Sequence, residues 1–157
     1  MDTTGIPFKK NYILPDSKLE ICCAIKGVIS NIRAAFPDIC EEKLFELKVI
    51  LSELLVNALK HGNKMDEYKA LELEMMVNGD RKVMITIQDQ GEGFNYRALY
   101  NEAAGDMLSG NPCLEEHGRG LVIVRKLCDR VTYNDKGNKV EAVLDCGNIG
   151  RCAETQG

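Results

Sequence analysis

A helix with two unlike faces is the feature that most constrains how this chain folds. From Leu44 to Ala58 apolar residues recur at helical spacing, whereas Glu53 and Asn57 stand four positions apart, with Glu46 in the same polar row. Residues four apart share one side of an α-helix, so one side packs and the other presents an acid and an amide. Such oxygens suit Mg²⁺, or a water or hydroxyl held near a phosphate. Taken alone, the segment also fits a solvated helix face.

A second segment places an acid and two glycines directly after a predicted strand. Residues 82–88 alternate apolar and polar residues, and Asp89, Gly91 and Gly93 follow. Glycine permits a tight turn and lets a flat ligand approach the backbone. A carboxylate there accepts a hydrogen bond from an exocyclic amine such as that of adenine. An Asp-capped turn without a ligand is the alternative for this segment alone.

A third segment has glycines at the start of a predicted helix. Gly118 and Gly120 flank Arg119, and an apolar stripe follows. Backbone N–H groups and the positive end of the helix dipole make such a start suitable for phosphate, and Arg119 adds a fixed positive charge. A flexible loop before a helix is the alternative. The sequence around these glycines is neither a Walker loop nor a Rossmann fingerprint.

In this order, the three segments resemble the N, G1 and G2 boxes of the GHKL ATPase superfamily. The chain is most similar to its anti-sigma-factor serine/threonine kinases, and the resemblance runs from about Tyr12 to Leu144. The resemblance implies the Bergerat fold, ATP and Mg²⁺. Two positions depart from the pattern. Asn138 stands where threonine is frequent, and the acidic Glu115 and Glu116 end the segment that corresponds to the ATP lid.

The resemblance also implies a role for each motif residue. Asn57 would bind the Mg²⁺ that bridges the phosphates, and Glu53 would act as the catalytic base or orient the attacking hydroxyl. Asp89 would bind the adenine amine, with Gly91 and Gly93 leaving room for the base. The residues that would hold the phosphates are Gly118, Arg119 and Gly120. His61, at the end of the same helix, is more often structural than catalytic at such a position.

Composition and charge restrict the class of protein. The 157 residues are 45% hydrophobic and 28% charged, as in a soluble globular domain, and the net charge of −4 argues against a nucleic-acid partner. No apolar run is long enough to span a membrane, and the N-terminus is not a signal peptide. Seven cysteines without a Cys-x-x-Cys pair predict reduced, mostly buried thiols and a cytoplasmic location.

The elements predict a single α+β domain over residues 1–157, with its core at about 12–145 and the ATP lid at about 96–117. The sheet is expected to be mostly antiparallel, with helices on one face. Strands are predicted at 11–14, 71–77, 82–88, 131–134 and 139–145. Helices are predicted from Ser17 to Phe36, from Asp38 to Gly62, and from Gly118 to about Arg130.

The function implied by the resemblance is an ATP-dependent protein serine/threonine kinase. Such a kinase would phosphorylate an anti-sigma-factor antagonist, sequester a sigma factor and form a homodimer. Two alternatives remain. A nucleotide-dependent binding module would have no need of the base Glu53. The ATPase module of another superfamily member fits less well with so short a chain.

Overall fold

The computed structural model describes residues 8–15, 17–64, 66, 68–93 and 119–147. In chain order the elements are β1 Phe8–Pro15, α1 Lys18–Ala35, α2 Glu41–Asn57, a π turn Ala58–Gly62, β2 Ala70–Val77, β3 Lys82–Gln88, α3 Arg119–Leu127, β4 Arg130–Tyr133 and β5 Lys139–Asp145. The predicted strand at 11–14 is three residues longer at its start. The predicted third helix ends three residues earlier than expected.

The five strands form one sheet in the order β1-β2-β3-β5-β4, and every pairing is antiparallel. The predicted α+β class and antiparallel sheet are therefore confirmed. Alternate residues of the central strands are buried, as expected when one face of a sheet is covered. The inward residues are Leu71, Leu73, Met75, Val77, Val83, Ile85, Ile87, Val140, Ala142 and Leu144.

The helices pack on this face and complete the core. α1 contributes Val28 and Ile32, and α2 contributes Leu47, Leu51 and Leu54, all almost wholly buried. Helix α2 contacts α1, α3 and β3, so it lies at the centre of the helical layer. A helix held on several sides can fix the position of its polar side chains. That property matters for Glu53 and Asn57.

The first helix begins as its sequence predicts. The side chain of Ser17 accepts a hydrogen bond from the backbone N–H of Glu20 at 3.4 Å, which satisfies one of the N–H groups left open at a helix start. Phe36 follows the last turn and is fully buried. Pro37 then prevents the helix from continuing.

The second helix differs from the prediction at both ends. Asp38 does not cap it: the helix starts at Glu41, and Asp38 instead pairs with Arg81 at 2.7 Å. Asp38 lies two residues before the observed N-cap, Cys40, so its carboxylate is free to pair with Arg81 instead. At its other end the α-helix stops at Asn57 and continues to Gly62 as a π turn.

The polar row predicted along α2 is only partly correct. Asn57 is buried, Glu53 lies against α3, and Glu46 pairs with Lys43 at 3.2 Å. Glu46 also lies near Cys128, whose pKa is raised to about 12, chiefly by burial. α3 therefore covers this side of α2. Sequence periodicity could not show this because it does not reveal a second helix that packs there.

The cysteines only partly follow the prediction of reduced, mostly buried thiols. Cys146 is buried, and the thiols of Cys22 and Cys23 are free but exposed on α1. Cys40, just before α2, is disulfide-bonded, so the prediction is wrong at that residue. Among the helices that the structure describes, none is long and apolar enough to cross a membrane.

Candidate functional site

Asp89 lies directly after β3 and is almost wholly buried, with 5% of its surface exposed. Its backbone N–H donates to the carbonyl of Asn138 at 2.9 Å, which ties it to the β4–β5 hairpin. Its Oδ1 accepts from the N–H of Gly91 at 2.8 Å. A carboxylate has about four acceptor sites, so this bond leaves capacity for a ligand.

Burial sets the electrostatics of this carboxyl. It raises the pKa of Asp89 above its ordinary value, because a charged group is less stable away from water. The hydrogen bond from Gly91 and the charges of Lys136 and Lys69 act in the opposite direction. Asp89 is thus a buried acid held in place by backbone contacts, which is typical of a recognition site.

Two glycines make the space around Asp89 possible. A Cβ added to Gly62, at the end of the π turn, would lie 2.8 Å from the Cβ of Asp89 and closer still to its carboxylate. A Cβ added to Gly91 would lie 3.0 Å from Oδ1 of Asp89 and would overlap the carbonyl of Gly62. Gly62 and Gly91 therefore pack on each other as well as on the acid.

The second glycine of the predicted turn has a different role. Gly93 has φ +96°, a conformation that side chains rarely adopt, and its α-carbon packs on the carbonyl of Lys136. Gly93 thus fastens the turn after β3 to the β4–β5 hairpin. The prediction that Gly91 and Gly93 leave room for a base stays a prediction; the structure shows two close backbone contacts.

A small cavity of about 10 Å³ opens beside Asp89, between α2, β3 and the β4–β5 hairpin. The residues that line it are Leu54, Ala58, Ile87, Asp89, Tyr133, Asn138, Lys139 and Val140. Its volume is that of roughly one water molecule, so it marks a mostly apolar space beside the buried acid and is too small for a flat ring as it stands. A larger cavity of about 290 Å³ lies elsewhere, near Met76, Met84 and Arg130, and none of the predicted site residues lines it.

Glu53 and Gly120 meet where α2 and α3 pack together. A Cβ added to Gly120 would lie 2.9 Å from the carboxyl carbon of Glu53, and still closer to Oε2. Gly120 is the second residue of α3, so the Glu53 carboxylate lies at the start of that helix. A helix start favours negative charge, so this is also where phosphate oxygens bind well.

Asn57 lies one helical turn beyond Glu53 and is the last residue of α2. It is buried, with 8% of its surface exposed, and its Nδ2 has no hydrogen-bond partner among the described residues. Leaving a buried amide unpaired costs free energy, so such a group suggests a ligand. The residue next to it, Ala58, lines the cavity beside Asp89.

Some predicted site residues lie outside the described part of the chain. Gly118 and the predicted ATP lid at 96–117 lie outside the described residues. Arg119 is the first residue of α3, but its side chain is not described. Across the described ranges, no group of three or more acidic, histidine or cysteine side chains could hold a metal ion. A metal here would need ligands from a bound phosphate, as Mg²⁺ commonly does.

Sequence reasoning missed Asn63. The residue follows the π turn and is fully buried. Its carboxamide bonds to Ala70, the first residue of β2, and to Gln90, two residues after the end of β3. A polar residue after a helix-ending glycine looks like an ordinary loop residue. The only signal in the sequence was its direct succession to Gly62.

A family model described as a histidine kinase-like ATPase domain matches residues 22–144. The chain belongs to this family. The family's ATPase description gives ATP as the nucleotide of this domain, and the matched range includes both the Asp89 turn and the Glu53–Gly120 contact. The resemblance inferred from the three motifs is therefore confirmed.

Relatives in this family have specific names. The chain is 32% identical over 122 residues to the "Serine-protein kinase RsbW" of Staphylococcus epidermidis, covering 76% of this chain and 73% of that protein. It is 30% identical over 102 residues to the "Anti-sigma F factor" of Clostridium perfringens, covering 63% of this chain and 70% of that protein.

A solved structure supports the fold. The histidine kinase domain of the Erythrobacter litoralis EL346 blue-light activated histidine kinase superimposes with a TM-score of 0.50 at 18% identity. The match covers 83% of this chain and 63% of that one. At this identity the likeness concerns the α+β fold alone.

Proposed function

We propose that this protein is an ATP-dependent protein serine/threonine kinase that acts as an anti-sigma factor. The observation that carries the proposal is the contact between the Glu53 carboxylate and Gly120 at the start of α3. It places an acid beside a helix start that suits phosphate, and on the same helix as Asn57. The names of the relatives support the kind of protein substrate and partner.

One end of the site binds the adenine of the nucleotide, and the other end binds its phosphates. Asp89 accepts a hydrogen bond from the exocyclic amine of adenine, in the apolar surroundings of the cavity at Ala58. Gly118, Arg119 and Gly120 hold the phosphates. Asn57 would supply a side-chain oxygen to Mg²⁺, and its Nδ2, which is unpaired among the described residues, can donate to a phosphate oxygen. Mg²⁺, when bound, neutralises phosphate charge.

The reaction transfers the terminal phosphoryl group of ATP to a serine of the antagonist protein. The serine oxygen forms a bond to the γ-phosphorus, and the bond from that phosphorus to the β–γ bridging oxygen breaks, which releases ADP. Glu53 accepts the serine proton. The protein contributes position and charge rather than covalent chemistry, as is usual for phosphoryl transfer.

The proposal extends to partners and organisation. A sigma factor is the protein held back, and an anti-sigma-factor antagonist is the one phosphorylated. We place the protein in the cytoplasm as a homodimer, and we assign residues 1–157 to one domain with the lid at about 96–117. Neither DNA nor a membrane is needed for this activity.

Single-turnover phosphorylation of a candidate antagonist with labelled ATP tests the proposal. Glu53→Gln keeps the shape of the side chain, so ATP affinity should persist while transfer slows by about 10²–10⁴-fold, the usual scale of acid–base catalysis. Glu42→Gln is the matched control, because Glu42 is exposed on the first turn of the same helix.

Each outcome bears on the proposal. Full transfer by Glu53→Gln contradicts the role of this residue as base. ATP binding without transfer by the wild-type protein to any antagonist favours a nucleotide-dependent binding module. Absence of ATP binding contradicts the nucleotide assignment itself.

A further inference from the structure

The fully buried Asn63 connects the end of the π turn to the first residue of β2 and to Gln90, the residue after Asp89. Its Nδ2 donates to the carbonyl of Ala70 at 3.0 Å, and its Oδ1 accepts from the N–H of Gln90 at 2.7 Å. Gln90 returns the contact, since its Oε1 accepts from the N–H of Ala70 at 2.7 Å. The three residues form a closed ring of hydrogen bonds.

This ring adjoins Asp89 through two of its members, one by sequence and one by packing. Gln90 is the residue after Asp89, and Gly62, which packs on the Asp89 carboxylate, is the residue before Asn63. The N–H of Asn63 itself donates to the carbonyl of Ala58 at 2.8 Å, so its backbone is fixed by the π turn. Any shift of Asn63 would therefore move Gly62 and Gln90 together.

We propose that Asn63 is a positioning residue that sets the nucleobase specificity of the site through Asp89. The inference rests on the proposed function, in which Asp89 binds the adenine amine. Asn63 does not touch the base. It holds the backbone after Asp89 on one side and the glycine under its carboxylate on the other, so the carboxylate has one orientation. A single orientation is what allows an acceptor to select an amine over a hydrogen atom or a carbonyl.

A carboxamide is required for this geometry. Its oxygen accepts from an N–H group while its nitrogen donates to a carbonyl; a carboxylate has no donor, and a hydroxyl has only one atom with which to meet both partners. Both partners are backbone groups in a part-buried setting, where loss of a bond leaves an unpaired polar atom. Removal of Asn63 should therefore loosen the turn after β3, including Asp89.

Nucleotide selectivity is the decisive measurement. Binding of ATP is compared with binding of purine riboside triphosphate, which lacks only the exocyclic amine. The wild-type protein should prefer ATP by about 10- to 100-fold, the value of one hydrogen bond to a charged group. Asn63→Ala should lower that ratio at least about threefold, and adding Asn63→Ala to Asp89→Asn should cause no further loss of the ratio.

Two further variants provide a second test and a control. Gln90→Ala changes an exposed residue of the same ring and should also lower the ratio. Asn78→Ala is the matched control. Its Oδ1 accepts from the N–H groups of Asp80 and Lys82 at 2.9 and 3.0 Å at the opposite end of β2 and β3. It should cost stability while leaving the ratio unchanged.

The outcomes separate this inference from the proposed function. If Asn63→Ala weakens the binding of ATP and of its analogue by the same factor, or changes the binding of neither, the residue is merely structural and the inference fails. If Asn63→Ala does not fold, an unchanged ratio in Gln90→Ala overturns it. The inference is also overturned if the wild-type protein binds both nucleotides equally. The kinase assay is separate and tests the proposed function. A wild-type protein that does not bind ATP overturns the proposed function.

Discussion

The carboxylate of Glu53 occupies the space where a side chain on Gly120 would begin. Any larger residue at position 120 would have to displace either the carboxylate or the start of α3. The two helices thus set the position of the acid jointly: α2 carries it and α3 limits where it can go. Packing of this kind restricts the rotamers that a functional side chain can adopt.

Gly120→Ala should therefore damage the reaction more than the fold. Overpacking at this contact costs about 1–3 kcal/mol, and the displaced Glu53 should slow phosphoryl transfer by more than it weakens ATP. Chemical denaturation and single-turnover assays measure the two effects. Gly79→Ala is the control, because a Cβ there meets nothing within 4 Å. The same loss in both variants would refute the role of the contact.

Asn57→Ala should remove the Mg²⁺-dependent part of ATP binding. ATP at a hundredfold excess over its Kd stabilises a protein by about 2.7 kcal/mol. In the variant, ATP should stabilise equally with and without Mg²⁺. The protein without ligand should hardly change, since Nδ2 of Asn57 makes no hydrogen bond that the substitution would break. Thermal unfolding decides, and an intact response to Mg²⁺ would contradict the assignment.

Asp89→Asn should weaken ATP relative to GTP by about 1–3 kcal/mol, the cost of an unpaired polar group. The carboxylate accepts from the adenine amine, whereas an amide also donates, and guanine has a carbonyl at that place. Competition binding with both nucleotides measures the change. Equal preference for ATP and GTP in the wild-type protein would disprove the idea.

The same substitution should make the unliganded protein more stable at neutral pH. Burial raises the pKa of Asp89, so its contribution to stability is fully present below the ordinary pKa and is lost as pH rises through the raised one. At pH 7 the charged form therefore disfavours folding, and asparagine removes that charge. Thermal unfolding at pH 7 and at acid pH should show the gain only at the higher pH.

The Asp38–Arg81 pair gives a pH dependence of the opposite sign. The hydrogen bond from Arg81 lowers the pKa of Asp38, so the stabilisation is present above the ordinary pKa and is lost as pH falls through the lowered one. Asp38→Asn should cost at most about 1 kcal/mol at pH 7, because the carboxyl is half exposed. Urea unfolding should show this difference vanish in acid, while the exposed Asp80→Asn has no effect. A difference that persists in acid would contradict the ion-pair account.

Local patterns were sufficient for most of the architecture. Alternation in β3 and β5 gave both strands with their observed bounds, and the Ser17 cap gave the start of α1. The acid after β3 could also be predicted, because a strand followed by Asp-x-Gly-x-Gly contains its own turn signal. These features depend on residues that are close in sequence, so one sequence is enough to predict them.

The features that were missed depend on residues far apart in sequence. Asp38 is a residue type that is common at helix caps, yet its partner Arg81 lies 43 residues away. Asn63 bonds to a backbone group 27 residues away, and Glu53 meets a glycine of α3. Periodicity along α2 shows which side is apolar but not that a second helix covers the polar side.

The π turn at Ala58–Gly62 also has a consequence for how this segment can change in evolution. A π turn is an α-helical turn with one residue inserted, and here the insertion carries Gly62 to the Asp89 carboxylate. Deletion of one residue, such as Leu59, would restore regular helical pitch and would improve the local hydrogen bonding. It would also rotate Gly62 and Asn63 away from the acid by roughly a quarter of a turn. The number of residues across these five positions therefore determines whether Gly62 reaches the Asp89 carboxylate.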